Sequence, residues 1–156
     1  MTATQLRERV YATNRRALHE YLILETIEVG VILTGTEIKS VRAGRVNLRE
    51  AYGRVDRREL WLHNAHISPY DPGSHYNHEP TRTRKLLAHT REIGRLWAKQ
   101  SESGITLIPL KMYDRRGHVK VELALARGKH TYDKRNAIAE RDARREMERA
   151  VKRDFN

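Results

Sequence analysis

The side chains with the greatest capacity for chemistry in this chain are cationic, since 31 Lys and Arg stand against 20 Asp and Glu. The formal net charge is +11 at pH 7. Of the 31 basic residues, 8 are Lys and 23 are Arg, whose planar guanidinium can bind phosphate through two donors and can stack on a base. This composition indicates a polyanionic partner such as a nucleic acid.

Motifs for catalysis or metal binding are missing from the sequence. The chain has no Cys, which excludes disulfides, Cys-based zinc modules and Cys nucleophiles. It contains no P-loop, no nucleophile elbow and no HExxH. Among the 8 His, His63 and His66 would face opposite sides of a strand, and His75 and His78 follow no known ligand spacing. We therefore predict no catalytic residue, no metal site and no cofactor.

A short helix between Leu33 and Gly44 is specified at both ends. Thr34 and Glu37 have the S/T-x-x-E spacing of a capping box, and Leu33 and Ile38 stand at the two positions of a hydrophobic staple. Gly44 occupies the position where a left-handed residue ends a helix. One face of this helix is apolar, and the other is cationic through Lys39, Arg42 and, just beyond the end, Arg45.

A long strand from Tyr21 to Leu33 is predicted before this helix, because apolar residues recur there at every second position. Its length of about 13 residues and its internal Gly30 predict a bend at that glycine. A hairpin should follow, with Asn47 to Val55 paired to Glu59 to Ile67 around the turn DRR at 56–58.

Further along, Pro69 to Pro80 is predicted to be a loop because of its prolines and polar residues. Residues 81–104 have apolar side chains at helical spacing and predict a second helix that ends at Gly104. A second hairpin should pair Ile105 to Tyr113 with Gly117 to Ala126 around DRRG, with Pro109 at an edge or a bulge.

This order of elements predicts a mainly β fold with inserted helices, an OB-like closed antiparallel β-barrel. Residues 1–13 are expected to be a flexible arm, residues 14–128 the core, and residues 129–156 a basic tail. The tail has few large apolar residues, and its favourable and unfavourable charge pairs nearly cancel. We expect it to be disordered when free and helical from about Ala137 when bound.

Five segments carry a resemblance to a known family: NRRALHEY (14–21), GVILTGTEIKSVRAGRVNLREAY (30–52), LHNAHISPY (62–70), HEPTRTRKLL (78–87) and VKVELALARGKHTYDKR (119–135). In this order they resemble the SsrA-binding protein family, also called small protein B. The resemblance implies a non-enzymatic, cytoplasmic RNA-binding adaptor of trans-translation, expected to be a monomer without a membrane partner. Such a protein binds the tRNA-like domain of transfer-messenger RNA and delivers it to stalled ribosomes. Its tail occupies the decoding centre and the empty mRNA channel.

Residue types and the resemblance together give two sets of candidate site residues. Arg and Lys suit phosphate, His19 offers an aromatic face, and the carboxylate of Glu28 can accept hydrogen bonds from base amino groups. The RNA-binding set is Asn14, Arg15, Arg16, His19, Glu28, Lys39, Arg42, Arg45, Arg82, Lys85, Arg127 and Lys129. The set expected at the decoding centre is Tyr132, Asp133, Lys134 and Arg135.

Two other functions remain open at this point. A generic OB-type single-strand nucleic-acid-binding protein would share the fold and the charge, but its affinity would follow strand length rather than RNA shape. A metal-dependent nuclease would need ligands clustered on one face, and it would cleave RNA in the presence of a divalent metal.

Overall fold

Six antiparallel strands pair in a closed ring, in the order β8-β4-β5-β7-β2-β9 and back to β8. The computed structural model describes residues 8–70, 77–129 and 131–154, and within the last range the side chains of residues 141–152. The strands are β1 Arg9–Thr13, β2 Tyr21–Val31, β3 Val46–Asn47, β4 Tyr52–Asp56, β5 Glu59–His63, β6 His66–Ile67, β7 Arg84–Leu87, β8 Ile105–Arg115 and β9 His118–Gly128. The helices are α1 Arg15–Glu20, α2 Gly35–Arg42, α3 Thr90–Gln100 and α4 Thr131–Asp154.

The predicted mainly β fold with inserted helices is confirmed, and the ring has a large apolar core beside a smaller cluster in which Ala17 of α1 packs with residues of β8 and β9. Every strand pair in the described residues is antiparallel. Strand β1 pairs with β8 outside the ring, and β3 pairs with β6 in a separate two-stranded sheet. Fully buried members of the core include Val29, Leu60, Leu62, Leu86, Leu107, Met112 and Leu123.

Strand β2 changes partner at Gly30, as expected for a strand that turns a corner. Residues from Tyr21 to Gly30 pair with β9, whereas Gly30 and Val31 pair with β7. A Cβ at Gly30 would lie 3.2 Å from the Cβ of Leu87, so the close approach of β7 favours glycine there. The strand has 11 residues and ends at Val31, two residues before the predicted end.

Both predicted hairpins are confirmed, and each closes through a two-residue turn. Arg57 and Arg58 join β4 to β5 with φ of 51° and 66°, and Arg116 and Gly117 join β8 to β9 with φ of 52° and 80°. Positive φ at both central residues is typical of the type I′ turn that fits the twist of paired strands. Pro109 was predicted at an edge or a bulge, and a bulge is present, because the β8–β9 register shifts between Pro109 and Lys111.

The strands of the first hairpin are shorter than predicted. Its two arms were expected to run from Asn47 to Val55 and from Glu59 to Ile67. Instead, β4 and β5 form the hairpin, while β3 and β6 pair with each other beyond it. Asn64 has a φ of 60°, so its backbone interrupts the second arm between β5 and β6.

The predicted helix over 81–104 is wrong in its first part. Residues Arg84 to Leu87 form β7 between β5 and β2, and α3 begins only at Thr90. Arg84 and Leu86 are buried, so burial recurs at every second residue, as in a strand. Four residues are too few to distinguish this period from that of a helix. The helix ends at Gln100, and Gly104 has a φ of 81° in the turn before β8.

The N-terminal arm was also predicted incorrectly, because Arg9–Thr13 forms β1 and pairs with β8. Backbone pairing with β8 holds this strand in place. Glu8, just before it, forms ion pairs with Lys111 at 3.1 Å and Arg115 at 2.9 Å. Such pairing depends on residues about one hundred positions away, and the local sequence carries little sign of it. Residues 1–7 of the predicted arm lie outside the described residues.

Residues Thr131–Asp154 of the C-terminal tail form a helix, α4. The helix begins six residues before the predicted start near Ala137, and the disorder expected for the free tail stays a prediction. The residues of α4 are mostly good helix formers, which explains its continuity. Its side chains from 141 to 152 are exposed, except that Ala150 is half-buried. In the described part of the chain, no helix is long and apolar enough to cross a membrane.

The predicted loop from Pro69 to Pro80 falls partly outside the described residues. Ser68 donates its backbone N–H to Arg45 at 3.0 Å, and Ile67 donates to Pro80 at 2.9 Å. His78 lies between Thr36 and the carbonyl of Ile67, at 2.9 Å and 2.8 Å. These contacts tie the two described ends of the segment to the region around α2.

Candidate RNA-binding surface

Helix α2 has both of the ends that its sequence specifies. The backbone N–H of Thr34 donates to Glu37 at 2.8 Å, and the hydroxyl of Thr34 accepts from the N–H of Glu37 at 3.4 Å, which completes the capping box. At the other end, Gly44 has a φ of 76°. Its N–H donates to Val41 and that of Arg45 donates to Ser40, both at 2.9 Å, which is the Schellman pattern.

The cationic face of α2 is exposed, as predicted. The ammonium of Lys39 lies 5.3 Å from the ring centroid of Tyr70. Arg42 donates to the carbonyl of Gly117 at 3.3 Å, which holds this guanidinium beside the β8–β9 turn. Arg45 is exposed, and within the described residues its side chain forms no hydrogen bond or ion pair. The three cations therefore keep most of their donors available for phosphate.

Glu28 belongs to a network of charged side chains that crosses from β2 to β8. Its carboxylate lies 2.8 Å from Arg115 and accepts a hydrogen bond from Tyr113, and its side chain is 31% exposed. Burial and this hydrogen bond raise the pKa of Tyr113 above its ordinary value, so the phenol stays protonated and donates. Glu28 therefore has a fixed orientation and part of its acceptor capacity left.

The same network continues to β9 and to the N-terminal side. Glu28 stands opposite Glu122 in the β2–β9 pairing, where two carboxylates would repel each other. Lys111 relieves this repulsion, at 3.5 Å from Glu122 and 3.1 Å from Glu8. Its hydrogen bond is the main reason why the pKa of Glu8 lies below the ordinary value. Sequence reasoning missed this network because its members come from four separate segments.

A groove connects Glu28 with the cationic end of α2. One concavity of about 400 Å³ is lined by Glu28, Glu92 and Lys120, among others. A second concavity, of about 300 Å³, is lined by Arg42, His118 and Lys120. The two share Gly30, Leu87 and Lys120. Lys120 was missed in the sequence, although its position between the half-buried Val119 and the buried Val121 indicated an outward-facing cation.

Behind α2, Glu37 is fully buried and holds two arginines. It accepts from Arg82 at 2.5 Å and from Arg84, whose side chain is also fully buried. Arg84 donates further to the carbonyl oxygens of Ala65 at 2.6 Å and Pro80 at 3.0 Å. Burial alone would raise the pKa of Glu37, but the hydrogen bonds from Arg82, Thr34 and Arg84 outweigh it and lower the pKa to about 2. Glu37 is thus an ionised structural centre under α2.

Arg82 and Lys85, two of the predicted RNA-binding residues, already have carboxylate partners. Arg82 pairs with the buried Glu37, and Lys85 lies 3.3 Å from the exposed Glu59. The first pair holds α2 against the segment before β7. The second is a surface pair with little energy and leaves the ammonium accessible.

The predicted residues of α1 form a second group at the other end of β2. Asn14 is 4% exposed; it accepts from Ala17 at 3.2 Å and donates to Leu48 at 3.1 Å and Pro109 at 3.0 Å. We therefore assign it to capping α1 and holding β8, rather than to phosphate binding. Arg16 contacts Glu20 at 2.9 Å and Glu50 at 2.5 Å. Arg15 and His19 are exposed on the same helix.

Arg127 and Lys129 lie close to α1. Arg127 is exposed and pairs through its backbone with Leu22, and the N–H of Lys129 donates to Glu20 at 2.9 Å. The 11 residues of β2 lie between this group and α2, a path of roughly 30 Å along the strand at about 3.3 Å per residue. The predicted residues are therefore brought together as two groups, one at each end of β2. No group of three or more His, Cys, Asp or Glu within the described residues could hold a metal ion.

The sequence matches the family described as SmpB protein over residues 11–153. The chain belongs to the SmpB family. A relative described as SsrA-binding protein, from Carboxydothermus hydrogenoformans, is 55% identical over 145 residues, which are 93% of this chain and 97% of the relative. Another SsrA-binding protein, from Desulforamulus reducens, is 58% identical over 140 residues, which are 89% and 87% of the two chains.

A solved SmpB structure also resembles this chain. It is described as "tmRNA-SmpB: a journey to the center of the bacterial ribosome", with 48% sequence identity and a TM-score of 0.67. The similarity covers 81% of this chain and 93% of that chain. The family that the sequence resembles is thus confirmed for the whole core and for most of the tail.

The tail residues expected at the decoding centre fall in the first two turns of α4 in this SmpB-family chain. Tyr132, Asp133, Lys134 and Arg135 follow Thr131, where the helix begins. Their side chains lie outside the described residues, so their role stays a prediction. Further along α4, the exposed cations are Arg141, Arg144, Arg145, Arg149 and Lys152.

Proposed function

We propose that this chain is an RNA-binding adaptor of trans-translation, which binds transfer-messenger RNA and brings it to stalled ribosomes in the cytoplasm. The observation that carries the proposal is the 48% identity with the SmpB of a structure described as tmRNA-SmpB in the bacterial ribosome. Relatives described as SsrA-binding proteins, which are named for the same RNA, support it over more than nine tenths of the chain. A net charge of +11 suits a partner of this kind.

The tRNA-like domain of this RNA binds, in our proposal, along the groove between α2 and β9. Lys39, Arg42, Arg45 and Lys120 meet phosphates, which fixes the position of the RNA. Glu28 accepts from a base or ribose donor, because Arg115 and Tyr113 hold its carboxylate in one orientation. Arg15 and Arg127 extend the cationic surface at the far end of β2, and His19 offers an aromatic face there. The six-stranded ring acts as an OB-type barrel that presents both regions on one rigid body.

The tail performs the second half of the function in this proposal. Helix α4 carries five exposed cations between Arg141 and Lys152, so a wall of ribosomal RNA would neutralise it along its length. We place its first turns, with Tyr132 and Lys134, in the decoding centre and the remainder in the empty mRNA channel. The barrel and the tail then have separable tasks, which are RNA binding and ribosome engagement.

Binding to an RNA with the tRNA-like fold tests the first task. The full chain should bind it tightly at 50 mM salt and lose affinity linearly on a log-log plot as salt rises, because phosphate contacts release counterions. Binding should persist without divalent metal, and the RNA should stay intact when Mg²⁺ is added. Equal affinity for an unstructured RNA of the same length would contradict the proposal and favour a generic single-strand binder.

A further inference from the structure

An apolar concavity between α3 and the β4–β5 hairpin takes no part in the surface proposed above. It has a volume of about 550 Å³, within the range of small-molecule sites. Its lining residues are Val55, Arg57, Arg58, Thr90, Ile93, Gly94 and Trp97. None of these belongs to α1, α2 or β2. The concavity is therefore a separate feature of the fold.

Its two walls are joined by a pair of hydrogen bonds, so the concavity is formed in advance. The side-chain amide of Gln100 accepts from the N–H of Val55 at 2.8 Å and donates to the carbonyl of Val55 at 3.3 Å. The C-terminal end of α3 thereby pairs with β4 as a neighbouring strand would. Leu96 is buried beneath, whereas Trp97 is 54% exposed, although its indole would bury well in a core.

Arg57 and Arg58 form the rim opposite Trp97, in a conformation that arginine seldom adopts. Their φ values are 51° and 66°, and Asn-Gly is the usual choice for this turn. Each non-glycine residue in this region costs free energy, and such strain tends to be retained at functional sites. Neither guanidinium contacts a carboxylate within the described residues. Two adjacent cations without carboxylate partners, Arg57 and Arg58, thus line the same concavity as the exposed ring of Trp97.

We propose that this concavity binds an unpaired nucleotide of a single-stranded RNA segment, with its base stacked on Trp97 and its phosphates on Arg57 and Arg58. The ring of Trp97 supplies the stacking face, and stacking of this kind does not depend on base identity. Gly94 leaves open space beside the ring, since a Cβ there would meet no atom within 4 Å. The hydroxyl of Thr90 offers a hydrogen-bonding partner to a sugar or base edge. This inference rests on the proposed function, because it assumes an RNA partner.

The charge of the rim decides between possible occupants of the concavity. A purely apolar helix would leave two guanidinium groups desolvated without partners, which is costly. A nucleotide has a flat base that can stack on Trp97 and a phosphate that can accept two hydrogen bonds from one guanidinium, so it matches both walls. An acidic peptide with an aromatic residue is the competing occupant, and the experiment includes it.

The test uses the fluorescence of Trp97 in a full-length W61F chain, which leaves one tryptophan as reporter. The probe is hexaadenylate at 50 mM salt. We expect saturable quenching, because a stacked base contacts the indole directly. R57N/R58G converts the turn to Asn-Gly, which favours the hairpin, and should weaken the apparent affinity at least fivefold. Since R116N makes the same Asn-Gly turn in the other hairpin, it is the matched control and should stay within twofold of the parent.

Three outcomes would overturn the inference. They are no quenching by hexaadenylate, equal quenching in R57N/R58G, and stronger quenching by an acidic peptide of six Glu and one Phe than by the RNA. Direct binding of labelled hexaadenylate to a W97L chain, which keeps an apolar side chain, should also fall at least fivefold, as expected for a lost stacking partner. Binding of the tRNA-like RNA to the wild-type chain is measured alongside. Its absence would refute the proposed function alone, whereas absent quenching with intact tRNA-like binding would refute this inference alone.

Discussion

Two carboxylates near α2, Glu37 and Glu28, have opposite uses because their surroundings differ. Glu37 is fully buried, and Arg82 and Arg84 neutralise it, so it has no capacity left for a partner. Glu28 is 31% exposed and is held from one side, so part of its carboxylate can accept from RNA. Residue type therefore does not decide between a structural and a functional role. Burial and the number of satisfied lone pairs do.

Substitution of Glu37 should destabilise the fold strongly. In Glu37→Gln the two arginines keep their charges but lose the anion between them, and the buried Arg84 has no route to water. Removal of one partner of a buried pair costs about 3 to 5 kcal/mol. Chemical denaturation should show a loss of this size in the free energy of unfolding. Glu59→Gln is the control, because Glu59 belongs to an exposed pair, and its loss should stay below about 1 kcal/mol.

The same residue makes stability depend on pH in the acid range. Glu37 has an ordinary pKa of 4.5 and a folded-state pKa of about 2. The folded state binds the proton less readily, so its stabilisation is complete above about pH 4.5 and is lost as the pH falls towards 2. Denaturation at pH values from 6 to 2 should show a steeper fall for the wild type than for Glu37→Gln. Parallel curves for the two chains would contradict the assignment.

Arg42 and Glu28 should separate affinity from recognition. Arg42→Ala removes a phosphate contact and should weaken the tRNA-like RNA and an unrelated RNA by similar factors. Glu28→Gln keeps the shape but alters an oriented acceptor, and it should lower discrimination by about 1 to 3 kcal/mol if the contact reaches a base. Tyr113→Phe should reproduce part of this effect, because the phenol positions Glu28. Equal losses on both RNAs in all three variants would refute the division.

At the scale of elements, α2 was predictable because every signal for it lies within twelve residues. Thr34, Glu37 and Gly44 act through local hydrogen bonds, and the structure has them all. Strand β7 was not predictable in the same way, because its four residues become a strand only through pairing with β5 and β2. The capping role of Glu37 was predictable because its partner Thr34 is only three residues away. Its buried ion pair with Arg84 was not predictable, because the two residues are 47 positions apart.

Gly44 and Gly35 offer a matched test of how α2 ends. Gly44 has a φ of 76°, and a side chain there is strained even though a Cβ would meet no atom within 4 Å. Gly44→Ala should therefore cost about 1 to 2 kcal/mol. Gly35 is the first helical residue with similarly open space, and Gly35→Ala should be neutral or stabilising by up to about 1 kcal/mol. Thermal unfolding of the two variants checks the difference, and equal shifts would contradict the Schellman assignment.

At the scale of the whole molecule, positive charge is distributed over two bodies with different packing. The ring has a continuous core and the network around Glu28 to hold its surface rigid. Helix α4 has exposed side chains from 141 to 152, with only Ala150 half-buried. Sequence analysis recognised this contrast from the lack of large apolar residues in the tail. It predicted a helix only from about Ala137 and only in the bound tail, whereas α4 begins at Thr131, because weak charge pairs were weighed more heavily than intrinsic helix propensity.

The last prediction concerns α4, whose described side chains, from 141 to 152, have little of the tertiary packing that stabilises most helices. We expect amide protons across residues 141–152 of the free protein to exchange with little protection, because each opening disrupts few contacts.

Truncation separates the task of the ring from that of the tail. A chain that ends at Lys129 keeps the nine strands of the described residues, so it should bind the tRNA-like RNA within about twofold of the full chain. It should fail to support trans-translation, measured as the tagging of stalled chains on the ribosome. The double substitution Lys134→Ala and Arg135→Ala should weaken tagging without truncation. Arg54→Ala with Arg91→Ala removes two exposed charges outside the tail and is the control for lost charge. Strong protection across α4 in the free protein would show a docked helix, and tagging by the truncated chain would show that the ring alone engages the ribosome.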